Sequence, residues 1–315
     1  MLNRRHLRIK VLQVLYAFFQ SKDNDYRSAE KELLTSVERI YDLYIFLLLS
    51  FAEVKSIAEY RQEENKKKIR PTEEDLNPNE KFVNNAVIAL LESSVELRRI
   101  SEERKVNWMG DEHREMFRKL FMQLRESETY FEFMNNESTG FEEDRAFAMA
   151  IFKSEIANSE LIYNFFEEKS IHWMDDIDLA CTAVLKTLKA LEEDEFVPIL
   201  PLYKDQDDEK EFIVSLLRKT VSMDKENEQL IDDLTKNWEL DRIAKMDVIL
   251  MKMAVTELQI FSSIPTKVTL NEYIEISKFY STPKSNSFIN GILDKAITRL
   301  ESEGKIKKIG RGLIK

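Results

Sequence analysis

Residues 239–297 read ELDRIAKMDVILMKMAVTELQIFSSIPTKVTLNEYIEISKFYSTPKSNSFINGILDKAI, with apolar side chains recurring at helical spacing. Two turns that contain proline, Ile264-Pro265 and Thr282-Pro283, interrupt this pattern. Thr269, followed three residues later by Glu272, is typical of a capping box at the start of a helix. No part of the stretch shows the sustained alternation of a β-strand. We therefore predict helices at 241–261, 269–280 and 287–300.

The composition of the whole chain also favours helices. Its 315 residues include only 6 glycines and 6 prolines, so few positions can supply the tight turns of hairpins and phosphate-binding loops. With 43% hydrophobic and 33% charged residues, the sequence predicts a folded all-α protein. Upstream of residue 239, the apolar spacing predicts helices at 4–20, 28–62, 142–169 and 175–192, among others.

The cysteine and hydropathy patterns predict the compartment. A single cysteine, Cys181, cannot form an internal disulfide, and the N-terminus lacks the apolar segment of a secretory signal. The most apolar charge-free stretch, Leu43 to Ala52, has ten residues, whereas a membrane-spanning helix needs about 20. We therefore expect a cytoplasmic protein that does not cross a membrane.

The charge is unevenly distributed. The net charge is -11, from 47 basic and 58 acidic side chains, yet both ends are basic. Residues 1–21 contain four basic and no acidic side chains, and residues 304–315 contain five basic and no acidic ones. A net charge of this sign ordinarily counts against nucleic-acid binding, but a basic end on an acidic body can hold one face to a phosphate backbone, which favours a defined site over general coating. The basic residues of the two ends are Arg4, Arg5, Arg8, Lys10, Lys305, Lys307, Lys308, Arg311 and Lys315.

Catalytic and cofactor motifs are missing from the sequence. Its three histidines are scattered and form no H-E-x-x-H pattern, and no glycine-rich phosphate-binding loop is present. Cys181 lies in an apolar run, which is typical of a packed thiol. Trp108, Trp173 and Trp238 are interpreted as core or subdomain-interface anchors. We predict no catalytic residue, no metal site and no cofactor.

A specific family becomes visible in residues 239–297. This segment resembles the C-terminal half of the bacterial transcription antitermination factor NusB, whose landmarks occur here in the same order. The N-terminal helix adds Arg4-Arg5-His6-Leu7-Arg8 and Gln13-Val14-Leu15-Tyr16, which are similar to the start of that family. The C-terminal landmarks are Glu257-Leu258, Pro265, Lys267-Val268, Asn271-Glu272, Lys278 and Phe288-Ile289-Asn290-Gly291-Ile292-Leu293-Asp294.

The resemblance covers residues 1–20 and 206–303 and leads to a division of the chain. The middle is longer than the connection usual in the family, and Lys284 stands where an acidic residue is common. A weak echo at an offset of 65 residues pairs Trp173 with Trp238 and Asp176 with Asp241; it reflects either a degenerate duplication or chance. The predicted segments are a basic N-terminal helix (1–21), a helical insertion (22–205), a NusB-like C-terminal helical domain (206–303) and a basic tail (304–315).

The resemblance implies an all-helical bundle that acts in transcription antitermination. It implies pairing with a small-subunit ribosomal protein, NusE, and binding to single-stranded boxA RNA of ribosomal operons within the RNA polymerase antitermination complex. It also implies a non-catalytic role, with Glu257 at the partner-protein interface. The predicted RNA contacts are Arg4, Arg5, Arg8, Lys10, Tyr16, Lys267, Lys278, Phe288 and Asn290.

Several of these assignments have alternatives. The rings of Tyr16 and Phe288 either stack on bases or pack in the core. Gly291 inside a helix costs about 1 kcal/mol relative to alanine, so either a neighbouring helix or RNA is expected to approach it closely. Glu257 either caps a neighbouring helix or faces the partner.

Two rival functions are a protein-binding helical scaffold without RNA affinity and an RNA methyltransferase with a NusB-like domain. The second needs a glycine-rich cofactor-binding sheet, which this sequence lacks.

Overall fold

A computed structural model describes residues 1–21, 25–193, 195–235 and 243–313. These ranges contain helices and no strand, which confirms the all-α prediction. The echo positions Trp238 and Asp241 lie outside them. Short 3₁₀ segments occur at Ile171–Trp173 and Gly310–Leu313, and a π-helical turn at Phe152–Ile156. The α-helices are α1 (Arg4–Gln20), α2 (Tyr26–Lys66), α3 (Glu73–Leu76), α4 (Ala86–Ser93), α5 (Val95–Arg104), α6 (Asp111–Glu126), α7 (Glu128–Asn135), α8 (Phe141–Ile151), α9 (Glu160–Lys169), α10 (Ile177–Lys189), α11 (Gln206–Ser222), α12 (Asp224–Leu234), α13 (Lys245–Ile260), α14 (Thr266–Tyr280) and α15 (Ser285–Ser302).

The chain forms two compact units. Unit 1 comprises Met1 and Glu38–Leu202, and unit 2 comprises Leu2–Val37 and Tyr203–Lys315. The assignment of residues 22–205 as an insertion stays a prediction. Among the described helices, none combines the length and the hydropathy that a membrane-spanning segment requires.

Unit 1 has a core rich in aromatic side chains. Trp108 and Trp173 are buried, as their interpretation as anchors requires, and their indole N–H groups donate to backbone carbonyls of Phe46 (2.9 Å) and Arg39 (2.8 Å). Both rings therefore bury their apolar surface without leaving a polar group unpaired. Cys181 is half-buried, and burial, with a smaller contribution from Asp178, raises the pKa of its thiol to about 11. A thiol protonated at neutral pH is a poor nucleophile.

Unit 1 contains shorter helices than the apolar spacing predicts. The predicted helix 142–169 is interrupted, because the Ser159 hydroxyl accepts a hydrogen bond from Ile162 N–H and starts α9. Upstream of that cap the chain passes through the π-helical turn that follows α8. The apolar pattern continues through both features, so periodicity alone does not reveal them.

Unit 2 is built around α13. This helix packs against α11, α12, α14 and α15, and α1 packs against α11, α13 and α14. Residues 249–258 of α13 are all buried, as expected of a helix surrounded by neighbours. Such an environment forces each polar side chain of α13 to find a partner inside the unit.

The predicted capping box at Thr269 is wrong. Helix α14 begins at Thr266, directly after Pro265, whose φ of -59° suits the approach to a helix. Thr269 lies inside α14 and is buried, and its hydroxyl donates to Glu257 Oε1 at 2.9 Å. The capping pattern in the sequence therefore marked a tertiary contact rather than a helix start.

Candidate nucleic-acid interface

Helix α1 begins with a reciprocal cap. Asn3 Oδ1 accepts from His6 N–H (3.0 Å), and Asn3 N–H donates to His6 Nδ1 (3.4 Å). The cap fixes the first turn, which carries arginines and no acidic residue. Arginines at this end oppose the helix dipole. Carboxylates from other helices of unit 2 compensate them.

Arg8 and Glu257 form a bidentate ion pair in the interior of unit 2. Arg8 Nε and Nη2 donate to the two Glu257 oxygens at 2.7 and 2.6 Å, and the side chains are 1% and 0% exposed. Thr269 and the Tyr273 hydroxyl (3.0 Å) donate to the same carboxylate. We refer to these four residues as the buried cluster. The carboxylate thus accepts four hydrogen bonds, which satisfies it fully.

Electrostatics within the buried cluster shift the pKa values of Arg8 and Tyr273. Burial alone would lower the pKa of Arg8, but the Glu257 charge and its hydrogen bonds outweigh burial and raise that pKa above its ordinary value. Burial, reinforced by the Glu257 charge, raises the pKa of Tyr273 well above its usual range. Tyr273 therefore remains a neutral donor. Arg8 was predicted to contact RNA, and Glu257 was predicted to face the partner protein. In this conformation the two side chains pair with each other, and their burial makes both inaccessible to either ligand.

Arg4 and Arg5 lie at the surface of unit 2. Arg5 donates to both Glu272 oxygens (3.0 and 2.8 Å), and this hydrogen bonding raises the pKa of Arg5. Arg4 pairs with Asp208 at 2.5 Å, and its guanidinium lies 4.2 Å from the centre of the Phe212 ring. More than a third of each arginine side chain is exposed. Both guanidinium groups are therefore within reach of a phosphate, although each already has a carboxylate partner.

The remaining predicted contacts on α1 differ in exposure. Lys10 is buried (2% exposed), so it does not lie on the surface where RNA would approach. Tyr16 is 40% exposed, so its ring is not a core ring. Of its two interpretations, a stacking surface fits this placement better.

Helices α14 and α15 carry the other predicted contacts. Lys267 and Lys278 are exposed, and Lys278 pairs with Glu275. Phe288 is half-buried, and Asn290 Nδ2 donates to Asp294 Oδ2 at 3.3 Å on the next turn of α15. All four residues belong to unit 2, together with α1.

Gly291 lies on the exposed side of α15. A Cβ built at this position meets no other atom within 4 Å in the part of the chain that the structure describes. No neighbouring helix in these ranges explains the glycine. Of the two interpretations given above, approach of an external ligand is the one that this geometry favours.

A buried aspartate fixes the turn before α15, and the sequence analysis missed it. Asp247 on α13 accepts from the hydroxyls of Ser281 and Ser285, the latter at 2.6 Å, and Thr282 bonds to Ser285 at 2.8 Å. Asp247 is 5% exposed. A single acid at the start of an apolar helix, with serines four residues apart around a proline, was the available signal. This network positions the segment that leads into Phe288.

Among the described residues, no three histidine, cysteine, aspartate or glutamate side chains are grouped so that they could hold a metal ion. The charged and aromatic groups of unit 2 can instead bind by ion pairing, hydrogen bonding and stacking.

Comparisons with known proteins identify relatives. Residues 178–298 match the model of the NusB family. The chain is 43% identical over 105 residues to the transcription antitermination protein NusB of Salinibacter ruber, covering 33% of this chain and 66% of that protein. It is 40% identical over 105 residues to the protein of the same name from Chloroherpeton thalassium, covering 33% of this chain and 50% of the relative. It is 34% identical over 90 residues to the protein of the same name from Natranaerobius thermophilus, covering 29% of this chain and 65% of that relative.

These matches cover less than two thirds of each relative's length. The family match begins at residue 178 in α10, upstream of residue 206, where the motifs indicated that the resemblance starts. The motifs between Glu257 and Asp294 lie inside the matched range, whereas the arginine-rich start of α1 lies outside it. No solved structure matches the chain significantly.

Proposed function

We propose, from the match of residues 178–298 to the NusB family model, that this chain is a non-catalytic RNA-binding adaptor in transcription antitermination. Its ligand is boxA-like single-stranded RNA of ribosomal operons, bound together with the ribosomal protein NusE in the antitermination complex of RNA polymerase. The names of the relatives support the general role.

The observation that carries the proposal is the open space beside the helix backbone at Gly291. Glycine inside a helix costs about 1 kcal/mol relative to alanine, and nothing described in this chain occupies the space beside it. Phe288 precedes Gly291 by one helical turn on the same side of α15. This arrangement suits single-stranded RNA, which can stack a base on the Phe288 ring and come close to the helix backbone one turn later, at Gly291.

Electrostatics support the same surface. Arg4, Arg5, Lys267 and Lys278 are accessible cations of unit 2 on a chain of net charge -11. Phosphate contacts by a few cations on an otherwise acidic protein give affinity that depends on salt and is confined to one face.

Substitution at Gly291 tests the proposal. Gly291→Gln places a side chain in the open space, so we expect the free energy of unfolding to stay equal or rise, while affinity for a boxA-like oligonucleotide or for NusE falls at least tenfold. Thr298→Gln, two turns further along the exposed side of α15, is the matched control and should leave both affinities unchanged. Unchanged binding of both ligands to Gly291→Gln would contradict the proposal.

One observation favours the rival role of a protein scaffold without RNA affinity. Two of the four basic side chains of α1, Arg8 and Lys10, are buried, which reduces the charge that this helix presents to RNA. Titration of the chain with boxA-like RNA, with and without NusE, separates the two roles. An adaptor gains RNA affinity when NusE is present, and RNA raises the affinity for NusE by the same factor. A scaffold binds protein and shows no such coupling.

A further inference from the structure

Unit 1 contains a groove outside the candidate interface described above. It lies between the C-terminal third of α2 and residues 111–122 of α6, with a volume of about 410 Å³. Its lining combines apolar groups, including Phe121, with the exposed ring of Tyr60 and three arginines, Arg61, Arg114 and Arg118. Ligand sites typically have volumes of roughly 300–1,000 Å³ and an apolar wall with a few convergent polar groups. We call this site the α2–α6 groove.

Two of the three arginines in the groove have no carboxylate partner among the residues that the structure describes. Arg118 is bound bidentately by Glu115, with both contacts at 2.7 Å. Arg61 contacts the sulfur of Met122, and Arg114 lies over the ring of Tyr60, 4.5 Å from its centre. Within the described ranges, no carboxylate lies at ion-pair distance from Arg61 or Arg114. This is notable because the chain has 58 acidic side chains against 47 basic ones.

The acidic residues of the groove do not cancel these charges. Glu115 is occupied by Arg118, and Glu64 pairs with Lys67 at 3.0 Å. Asp111 lies in the first turn of α6, where a negative charge is stabilised by the helix dipole. Burial and the nearby Arg125 lower the pKa of Arg61, so its surroundings oppose a positive charge. A partly buried guanidinium without a counter-ion is unfavourable, and an anion bound beside it would remove that cost.

We propose that the α2–α6 groove binds a nucleoside phosphate, either as a free nucleotide or as part of a single-stranded RNA. Arg61 receives the phosphate, and the Tyr60–Arg114 pair offers planar groups against which the base stacks. The groove belongs entirely to unit 1, so this inference does not depend on the role proposed for unit 2.

The full-length chain can be titrated by calorimetry with adenosine and uridine 5′-monophosphates and inorganic phosphate. Fluorescence anisotropy can report binding of a labelled ten-nucleotide RNA without a boxA element. We expect a nucleoside monophosphate or the RNA to bind more tightly than inorganic phosphate, because the ring contacts add to the phosphate contact. Arg61→Gln and Arg114→Gln should each weaken this binding about tenfold or more. Arg99→Gln, whose side chain pairs with Glu96 and Glu103 at the surface of unit 1, is the matched control.

The two sources of the ligand give different results. Saturable binding of a mononucleotide that also displaces the RNA indicates a free nucleotide, whereas Arg61-dependent binding of the RNA alone indicates an RNA segment. The proposal is overturned if neither probe binds, or if Arg61→Gln and Arg114→Gln bind as well as Arg99→Gln. It is also overturned if only an acidic peptide such as oligoglutamate shows the arginine dependence. Circular dichroism of each variant verifies folding, and Arg61→Lys, which keeps the charge, should retain part of the affinity.

Discussion

The buried cluster leads to a quantitative prediction about stability. Glu257→Gln keeps the size of the side chain but removes the charge that compensates Arg8, a residue with 1% of its side chain exposed. Removing one partner of a buried ion pair costs roughly 3–5 kcal/mol, because the other charge remains desolvated. The loss of acceptor strength toward Thr269 and Tyr273 acts in the same direction. Since domains are typically stable by about 5–15 kcal/mol, the expected loss is a large fraction of the stability of unit 2.

The measurement must report on unit 2 alone, because a chain of two units need not unfold in one step. Hydrogen exchange of the amides of α13 and α14, followed by mass spectrometry in increasing urea, gives that local free energy. The double variant Arg8→Met/Glu257→Leu replaces the pair by apolar side chains of similar length and should be more stable than Glu257→Gln.

Two results would refute this reasoning. One is a loss below 1 kcal/mol for Glu257→Gln. The other is a double variant whose loss equals the sum of the losses of Arg8→Met and Glu257→Leu, since contacting residues should not behave additively.

Three further predictions concern single side chains. Arg4→Ala and Arg5→Ala should each flatten the plot of log K against log salt for boxA-like RNA by about 0.7; unchanged slopes in anisotropy titrations would exclude phosphate contacts. Phe288→Ala should weaken RNA binding by about 1–3 kcal/mol with little change in melting temperature, whereas a loss of about 3–5 kcal/mol of folding stability would assign the ring to the core. Burial raises the pKa of Glu53, so ionisation at pH 7 destabilises the fold; Glu53→Gln should be more stable than the parent at pH 7, and the difference should vanish below about pH 4 in urea titrations. A gain that persists at pH 3 would show that desolvation of the charge is not the cause.

The sequence predicted the helical class and the bounds of α1 because both depend on local spacing. The sequence predicts an apolar stripe of Leu7, Val11, Leu15 and Phe18 on α1; the first three are buried and Phe18 is half-buried. The pairing of Arg8 with Glu257 was not predicted, because helical periodicity indicates which face is buried and not which residue faces it. A signal did exist, since Arg8 precedes the buried Leu12 by four residues and therefore lies on the inner side of α1.

The candidate interface was predicted only in part, for a related physical reason. Charge and residue type pointed to Lys10 and Arg4 equally, yet Lys10 is buried whereas more than a third of the Arg4 side chain is exposed. Exposure depends on the neighbours that tertiary packing supplies. The open space at Gly291 and the serine network of Asp247 depend on such neighbours too, so neither could be derived from spacing along one helix.

The discontinuous make-up of unit 2 has a consequence for its synthesis on the ribosome. Arg8 and Glu257 are separated by 249 positions in the chain. At roughly 5–20 residues per second, about 12–50 s pass between translation of the two. During that interval the apolar stripe of α1 and the Arg8 guanidinium, which is buried in the folded unit, lack the residues that they contact there. Apart from Met1, unit 1 is continuous from Glu38 to Leu202, so all of it is translated before Glu257. We therefore expect unit 1 to fold during translation and unit 2 to close last, with α1 available to chaperones until then.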